Sequence, residues 1–225
     1  GSERISYGNG TLPFHVACQC NAVATAKYLY QLYPESINMA ANGGLHPIHL
    51  AISALKYRES NLEIAIEMVQ FLLDCNPNVA LQMRREMRRG KLPLYWVCKK
   101  ATIDNTRKLN AYLKIVQILY DAYPEAIEDN EVTSNIGSFC EEVQTFINTQ
   151  LTYARQVRGR TVRQMKSRDE NGQVPLHRAL RDNVTLGSIK LFVKRNPSAI
   201  THADNSGAMP LHLACQYHES ACVVE

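Results

Sequence analysis

No stretch of this 225-residue chain approaches the roughly 20 uninterrupted apolar residues that a membrane-crossing helix needs. The opening segment also lacks a basic run followed by an apolar one, so no secretory leader is expected there. Charge of one sign is scarce: 25 Lys and Arg stand against 21 Asp and Glu, and a net +4 does not by itself imply a polyanionic partner. The seven cysteines are odd in number and scattered, in a chain too large to need disulfide staples. They read as reduced thiols in an intracellular, cytoplasmic setting. At 45% hydrophobic and 20% charged, the composition excludes a disordered, collagen-like or coiled-coil chain. The chemical signatures are missing too: no G-x-S-x-G elbow, P-loop, dinucleotide fingerprint or H-E-x-x-H occurs, and no catalysis and no cofactor are expected.

What is present is a repeat. Aligning Pro13, Pro47, Pro93, Pro175 and Pro210 places a glycine three residues earlier each time: Gly10, Gly44, Gly90, Gly172 and Gly207. Two residues after the proline stand His15, His49, Tyr95, His177 and His212. The residue between is apolar, and a small or compact one follows at Ala17, Ala51, Val97, Ala179 and Ala214. The unit is G-x-x-P-φ-H-x-A. Glycine admits a positive φ in a turn, and proline is preorganised for the first position of a helix, where its missing N–H costs nothing.

This unit resembles the T-P-L-H-x-A signature of ankyrin repeats, and the resemblance implies a turn followed by two antiparallel helices with a period of about 33 residues. It covers roughly residues 8–132 and 170–225. The implied fold is an all-α, ankyrin-like helix-turn-helix solenoid forming one domain over 1–225. Repeats are expected at about 8–42, 43–88, 89–132 and 170–205, with a partial one at 206–225 and a helical insertion at 133–169. The incomplete last repeat and the Gly1-Ser2 start suggest a fragment of a longer array. Leu12, His46, Leu92, Val174 and Met209 stand where the family has threonine, which leaves the imidazoles without a hydroxyl partner.

Pro34, Pro77, Pro124 and Pro197 form a second series, each after an apolar triplet: Tyr28-Leu29-Tyr30, Phe71-Leu72-Leu73, Ile118-Leu119-Tyr120 and Leu191-Phe192-Val193. The triplets are expected to be the buried stripe of the second helix, which the proline ends. Ile37, Ala80, Ile127 and Ile200 should tuck under the next turn. The two proline series lie 21, 30, 31 and 22 residues apart, so the second and third repeats carry about nine extra residues between or within their helices.

Within the insertion, Ser138 and Glu141 match a capping box. Phe139, Val143, Phe146, Ile147, Leu151, Ala154 and Val157 follow at helical spacing, and Gly159 suits the helix end. A degenerate repeat is the less favoured description, since the stripe runs about 20 residues without an internal turn. Arg155, Arg158, Arg160, Arg163, Lys166 and Arg168 then make the chain basic. A second cluster, Arg84, Arg85, Arg88, Arg89 and Lys91, precedes the third repeat. Solvated charge is the plain reading of both.

His15, Cys18, Cys20, His212 and Cys215 have a superficial look of zinc ligands, but Cys18, Cys98 and Cys215 share a position filled elsewhere by Ile52 and Leu180, which marks it as core. No metal site is expected. The resemblance implies a non-catalytic protein–protein interaction scaffold. Its candidate partner-binding residues are Arg84, Arg85, Arg88, Arg89, Lys91, Arg158, Arg160, Arg163 and Lys166. The rival reading is a polyanion, nucleic acid or anionic lipid headgroup, held by the same clusters.

Overall fold

A proline at the first helical position, behind a residue held extended, starts every inner helix of this protein. The computed structural model describes residues 10–55, 62–82, 91–101 and 106–217. It divides into two compact units, Gly1–Thr145 and Phe146–Glu225. In the first unit α1 (Pro13–Gln19) pairs with α2 (Val23–Leu32), α3 (Pro47–Ala54) with α4 (Leu62–Cys75), and α5 (Pro93–Lys100) with α6 (Thr106–Ala122). A short α7 (Asn130–Ser134) follows. Helix α8 (Glu141–Gly159) runs across the boundary, and the second unit continues with α9 (Val162–Lys166), the pair α10 (Pro175–Arg181) and α11 (Leu186–Arg195), and α12 (Pro210–Tyr217). Among the described residues the fold is all-α, with the repeating helix pair expected of an ankyrin-like chain and an antiparallel bridge from Ala41 to Leu45.

Leu12, His46, Leu92 and Val174 all hold ψ between 152° and 162°, the extended geometry that a following proline imposes. Ahead of them lies one recurrent turn. Ala41 N–H donates to Leu45 O at 2.9 Å, Asp169 N–H to Gln173 O at 3.0 Å, and Asp204 N–H to Ala208 O at 2.9 Å. Each turn contains its glycine at positive φ: Gly44 at 69°, Gly172 at 72° and Gly207 at 82°.

The second proline series does more than stop a helix. Helices α2, α4, α6 and α11 end two residues before it, and each proline opens a 3-10 turn: Pro34–Asn38, Pro77–Leu81, Pro124–Glu128 and Pro197–Thr201. Ile37, Ala80 and Ile127 are buried there as expected. Ile200 is not: it is 47% exposed, and of this turn only Ala199, the counterpart of the buried Ser36, Val79 and Ala126, is buried. The outer triplets are also only partly internal, since Tyr28 points outward at 61% exposure.

The extra length of the second and third pairs goes in part into the outer helix. Helices α2 and α11 have 10 residues, whereas α4 has 14 and α6 has 17. The short links of the first and last complete pairs close instead through Asn21 and Asn183, both at φ 51°, a conformation asparagine tolerates better than most residues.

In the insertion the capping box is not at Ser138. That serine sits in a 3-10 turn and donates to Asn135 O at 2.7 Å. Cys140 supplies the first helical carbonyl instead, to Gln144 N–H at 2.9 Å. The true capping box lies further on, where Thr161 Oγ1 accepts from Gln164 N–H and Gln164 Oε1 accepts from Thr161 N–H. The apolar stripe of α8 is buried at Val143, Ile147, Leu151, Ala154 and Val157, and the helix ends at Gly159. Gln150 is buried on the same helix and accepts from Ser188 Oγ at 2.8 Å and Thr185 Oγ1 at 3.0 Å, which pins α8 to the start of α11. The internal turn missing from the stripe lies just upstream of it, between α7 and α8. Short helix, long helix and closing turn therefore follow one another here as in the pairs, with Met165 buried where Ile37 is.

Packing between pairs uses the small positions. Ala17, Ala51, Val97, Ala179 and Ala214 are all buried, as are Cys18, Ile52, Cys98 and Leu180. Cys215 departs from this series: it is exposed, as are His212 and Leu211. The reason is geometric, because that side of an inner helix is covered by the following pair, and α12 is the last described helix. The rest of the partial repeat expected at 206–225 lies outside the described residues.

Two outcomes are expected. Gly172→Val should destabilise the protein by about 1–3 kcal/mol in a thermal or denaturant melt. The substituted residue would hold φ 72° and its Cβ would run into the Asn205 side chain. Without reductant, Cys18 and Cys98 should label slowly with a thiol reagent, since burial both hides them and pushes their ionisation up, while Cys20 and Cys215 react quickly. Fast labelling of Cys18 in the folded protein would refute the core assignment.

Candidate functional site

The residues that look most like chemistry are held by structural hydrogen bonds. His15 Nδ1 accepts from the Leu12 N–H at 2.9 Å, so the amide at the helix start replaces the absent threonine hydroxyl. Its Nε2 lies 2.9 Å from Met39 O and must carry the proton. Burial lowers the His15 pKa against the opposing pull of the Met39 carbonyl, which keeps the ring neutral and suits this tautomer. His177 Nε2 reaches Ala208 O at 3.3 Å, and His212 Nδ1 accepts from Met209 N–H at 3.0 Å. Tyr95, in the histidine position, is buried and makes an edge contact with Phe139 at 6.1 Å. Among the described residues no group of His, Cys, Asp or Glu is placed to hold a metal ion.

Asp169 and Asp204 are structural as well, and the sequence pattern alone did not single them out. Asp169 accepts from the backbone of Gln173 at 2.9 Å and Asn171 at 3.0 Å, and from Arg178 at 3.2 Å. Asp204 accepts from the Ser206 hydroxyl, from Gln173 Nε2 at 3.1 Å, and from the Ala208 and Ser206 amides. Gln173 therefore joins one turn to the next. Asn205 adds two bonds, from its N–H to Asn171 O and from its Nδ2 to Glu170 O, both at 2.9 Å.

The surface left for recognition is a row on the inner helices. The third residue after the proline is Val16 on α1, Leu50 on α3 and Trp96 on α5, helices stacked in that order. Val16 is exposed, Trp96 half-buried and Leu50 nearly covered. Gln19, Ser53 and Lys99 lie one turn further along. At the Trp96 end the row turns cationic. Lys100 Nζ sits 4.9 Å from the Trp96 ring centre, and Lys91 and Lys99 lie 4.7 and 6.0 Å from that of Tyr95. Sequence reasoning missed this row because it looked for what repeats, and this position is where the repeats disagree.

Of the expected partner-binding residues, Arg84, Arg85, Arg88 and Arg89 lie outside the described residues. Lys91 is half-buried in the first unit and also donates to Tyr95 Oη at 3.4 Å. Arg158, Arg160, Arg163 and Lys166 belong to the second unit, where all but the half-buried Arg160 are exposed. Arg160 lines a cleft of about 290 Å³ together with Arg168 and Arg178. No described helix is long and apolar enough to cross a membrane.

Stacked helix pairs begun by a proline, with an imidazole tying α1 and α10 to the following turn, define a helical-repeat protein. Residues 3–51 match the family model for ankyrin repeats (many copies), and no curated protein matches the chain. The same turn and helix pair recur beyond the matched segment, so the fold is ankyrin-like past residue 51 as well. Such repeats generally mediate protein–protein interaction and are typically non-enzymatic.

The two turn carboxylates give a pH dependence. Hydrogen bonds from Gln173 N–H, and for Asp204 from Ser206 and Gln173, depress both pKa values below the ordinary carboxylate value. Their stabilisation is complete above about pH 4 and is lost as the pH falls through the lower folded values. Asp204→Ala should flatten the acid limb of the stability curve between about pH 4 and 2, measured by urea unfolding at each pH. An unchanged limb would assign acid lability to other groups.

Proposed function

We propose that this chain is a non-catalytic protein-interaction scaffold working inside the cell, in the cytoplasm, and that its contact surface is the row that exposes Val16 and part of Trp96. The observation carrying this reading is Trp96 with Lys100 against its ring, at the end of an apolar strip. Tryptophan is the residue type most enriched at the energetic centres of protein interfaces, and a lysine over its face adds attraction for a carboxylate. A partner segment with apolar side chains and an acidic group near Trp96 fits this surface.

The second reading is a polyanion, nucleic acid or anionic lipid headgroup, bound through Arg158, Arg160, Arg163 and Lys166 in the second unit, with Lys91 and Arg84, Arg85, Arg88 and Arg89 as a separate cluster. It is favoured by the exposure of Arg158, Arg163 and Lys166 within one short stretch.

Capture from native lysate at two salt concentrations, followed by titration of the recovered partner, separates the two. Trp96→Ala should weaken binding of a protein partner by roughly 10- to 30-fold with helicity retained. Unchanged affinity would overturn the row as the contact surface. For a nucleic acid held by about four charges, the log-log salt slope should be near −3 to −4 and should flatten when the four cations of the second unit are neutralised.

A further inference from the structure

We infer that the cleft of the second unit receives a phosphate monoester carried by a partner protein, the side chain of a phosphoserine or phosphothreonine. The inference rests on the protein-binding reading for the source of the phosphate, but not on the Trp96 row, which lies in the other unit.

The cleft has a volume of about 290 Å³ and is lined by Arg160, Gln164, Ser167, Arg168, Asp169 and Arg178 among others. These residues come from three pieces of chain whose backbones are fixed. The capping box of α9 ties Gln164 to Thr161, and Ser167 Oγ closes the same turn on Gln164 O at 2.7 Å. From α11 and its end, Arg195 Nη2 donates to Arg160 O at 3.3 Å, and Asn196 Nδ2 donates to the buried Met165 O at 3.0 Å. The opposite wall is the glycine turn and the start of α10.

Charge in this recess is unbalanced. Three guanidinium groups meet one carboxylate, and that carboxylate is already engaged: Asp169 Oδ1 accepts two backbone amides, and Oδ2 accepts from Arg178. Arg178 thus offsets Asp169. Arg160 and Arg168 have no carboxylate partner among the described residues. Two arginines left over in one concave site are the donor set that a dianionic phosphate satisfies, since a guanidinium fork matches phosphate oxygens in geometry and charge.

Size and shape select the source. The volume is at the small end of ligand sites, enough for one phosphate and its stem. A nucleic acid strand asks for cations spread along a groove with aromatic platforms for its bases, and no aromatic residue lines this cleft. A membrane surface asks for cations on a projecting face. A single phosphorylated side chain enters a recess.

The test uses the whole chain and short degenerate peptides with a fixed central phosphoserine, titrated by fluorescence anisotropy beside the unphosphorylated pool, inorganic phosphate, a DNA duplex and phosphatidylserine vesicles. The phosphorylated pool should bind saturably, and at least roughly tenfold more tightly than the unphosphorylated one. Arg160→Gln with Arg168→Gln should lower that affinity by roughly tenfold or more. Arg163→Gln with Lys166→Gln removes the same charge outside the cleft lining and should change it less than about threefold. Circular dichroism confirms the fold of each variant. Equal weakening by both pairs, or tighter binding of the duplex or vesicles than of the phosphopeptides, overturns the cleft as a phosphoresidue site. Inorganic phosphate binding as tightly as the phosphopeptides overturns the assignment to a protein side chain. Trp96→Ala should leave phosphopeptide affinity unchanged, so failure of the Trp96 row and failure of the cleft give different results.

Discussion

A neutral imidazole at the foot of an inner helix links that helix to a turn. Its Nδ1 receives the amide that the proline has left extended, as at Leu12 and Met209, and its Nε2 proton goes to a carbonyl of the next turn, as at Met39 and Ala208. A ring that accepts at Nδ1 and donates at Nε2, as His15 does, is uncharged, and burial there favours that form. The first helices are too short to stand alone, with seven residues in α1 and α10. Their stability therefore comes from what the imidazole and the small residues near it bring together: a helix start, a turn and a neighbouring helix. Proline, glycine and alanine set the geometry, and the ring supplies the polar closure that a buried backbone demands.

The helix pairs were legible because the constraints are local and repeat. A proline at the first helical position, a glycine at positive φ and an imidazole two residues on leave the same trace each time. Less legible were features that depend on what lies opposite. Cys215 and Ile200 occupy core positions by alignment yet are exposed, since no described pair covers them, and Tyr28 sits within an apolar triplet but points out. The capping box at Ser138 matched the pattern, but the chain had already turned there into a 3-10 bend, and Thr161 with Gln164 forms the real one. Local pattern states what a residue can do, and neighbours decide whether it does.

The candidate sites show the same division. The basic run of the insertion was visible as composition, but not which members share a recess. Arg160 and Arg168 do so with Arg178, from a different helix pair, whereas Arg163 and Lys166 do not. The Trp96 row was invisible to a search for recurrence. In a repeat protein the recurring positions build the fold, and recognition falls to the positions between them. Val16, Leu50 and Trp96 differ because nothing in the fold requires them to agree.

The polar ties between the turns at 169–173 and 204–208 also limit how this protein could have been assembled or could be rearranged. Helix pairs joined only by apolar surfaces are roughly interchangeable, and duplication or shuffling of such modules is tolerated. Here Gln173 requires Asp204, the Asn171 carbonyl requires the Asn205 amide, and Gly172 must lack a side chain because Asn205 lies over it. The partner residues are matched across the junction, while the earlier turn has Ala41 where these have aspartate. A graft of either turn without the other would leave unpaired amides and a carboxylate without its donors. The two turns are therefore structurally coupled, and a change in one calls for a compensating change in the other.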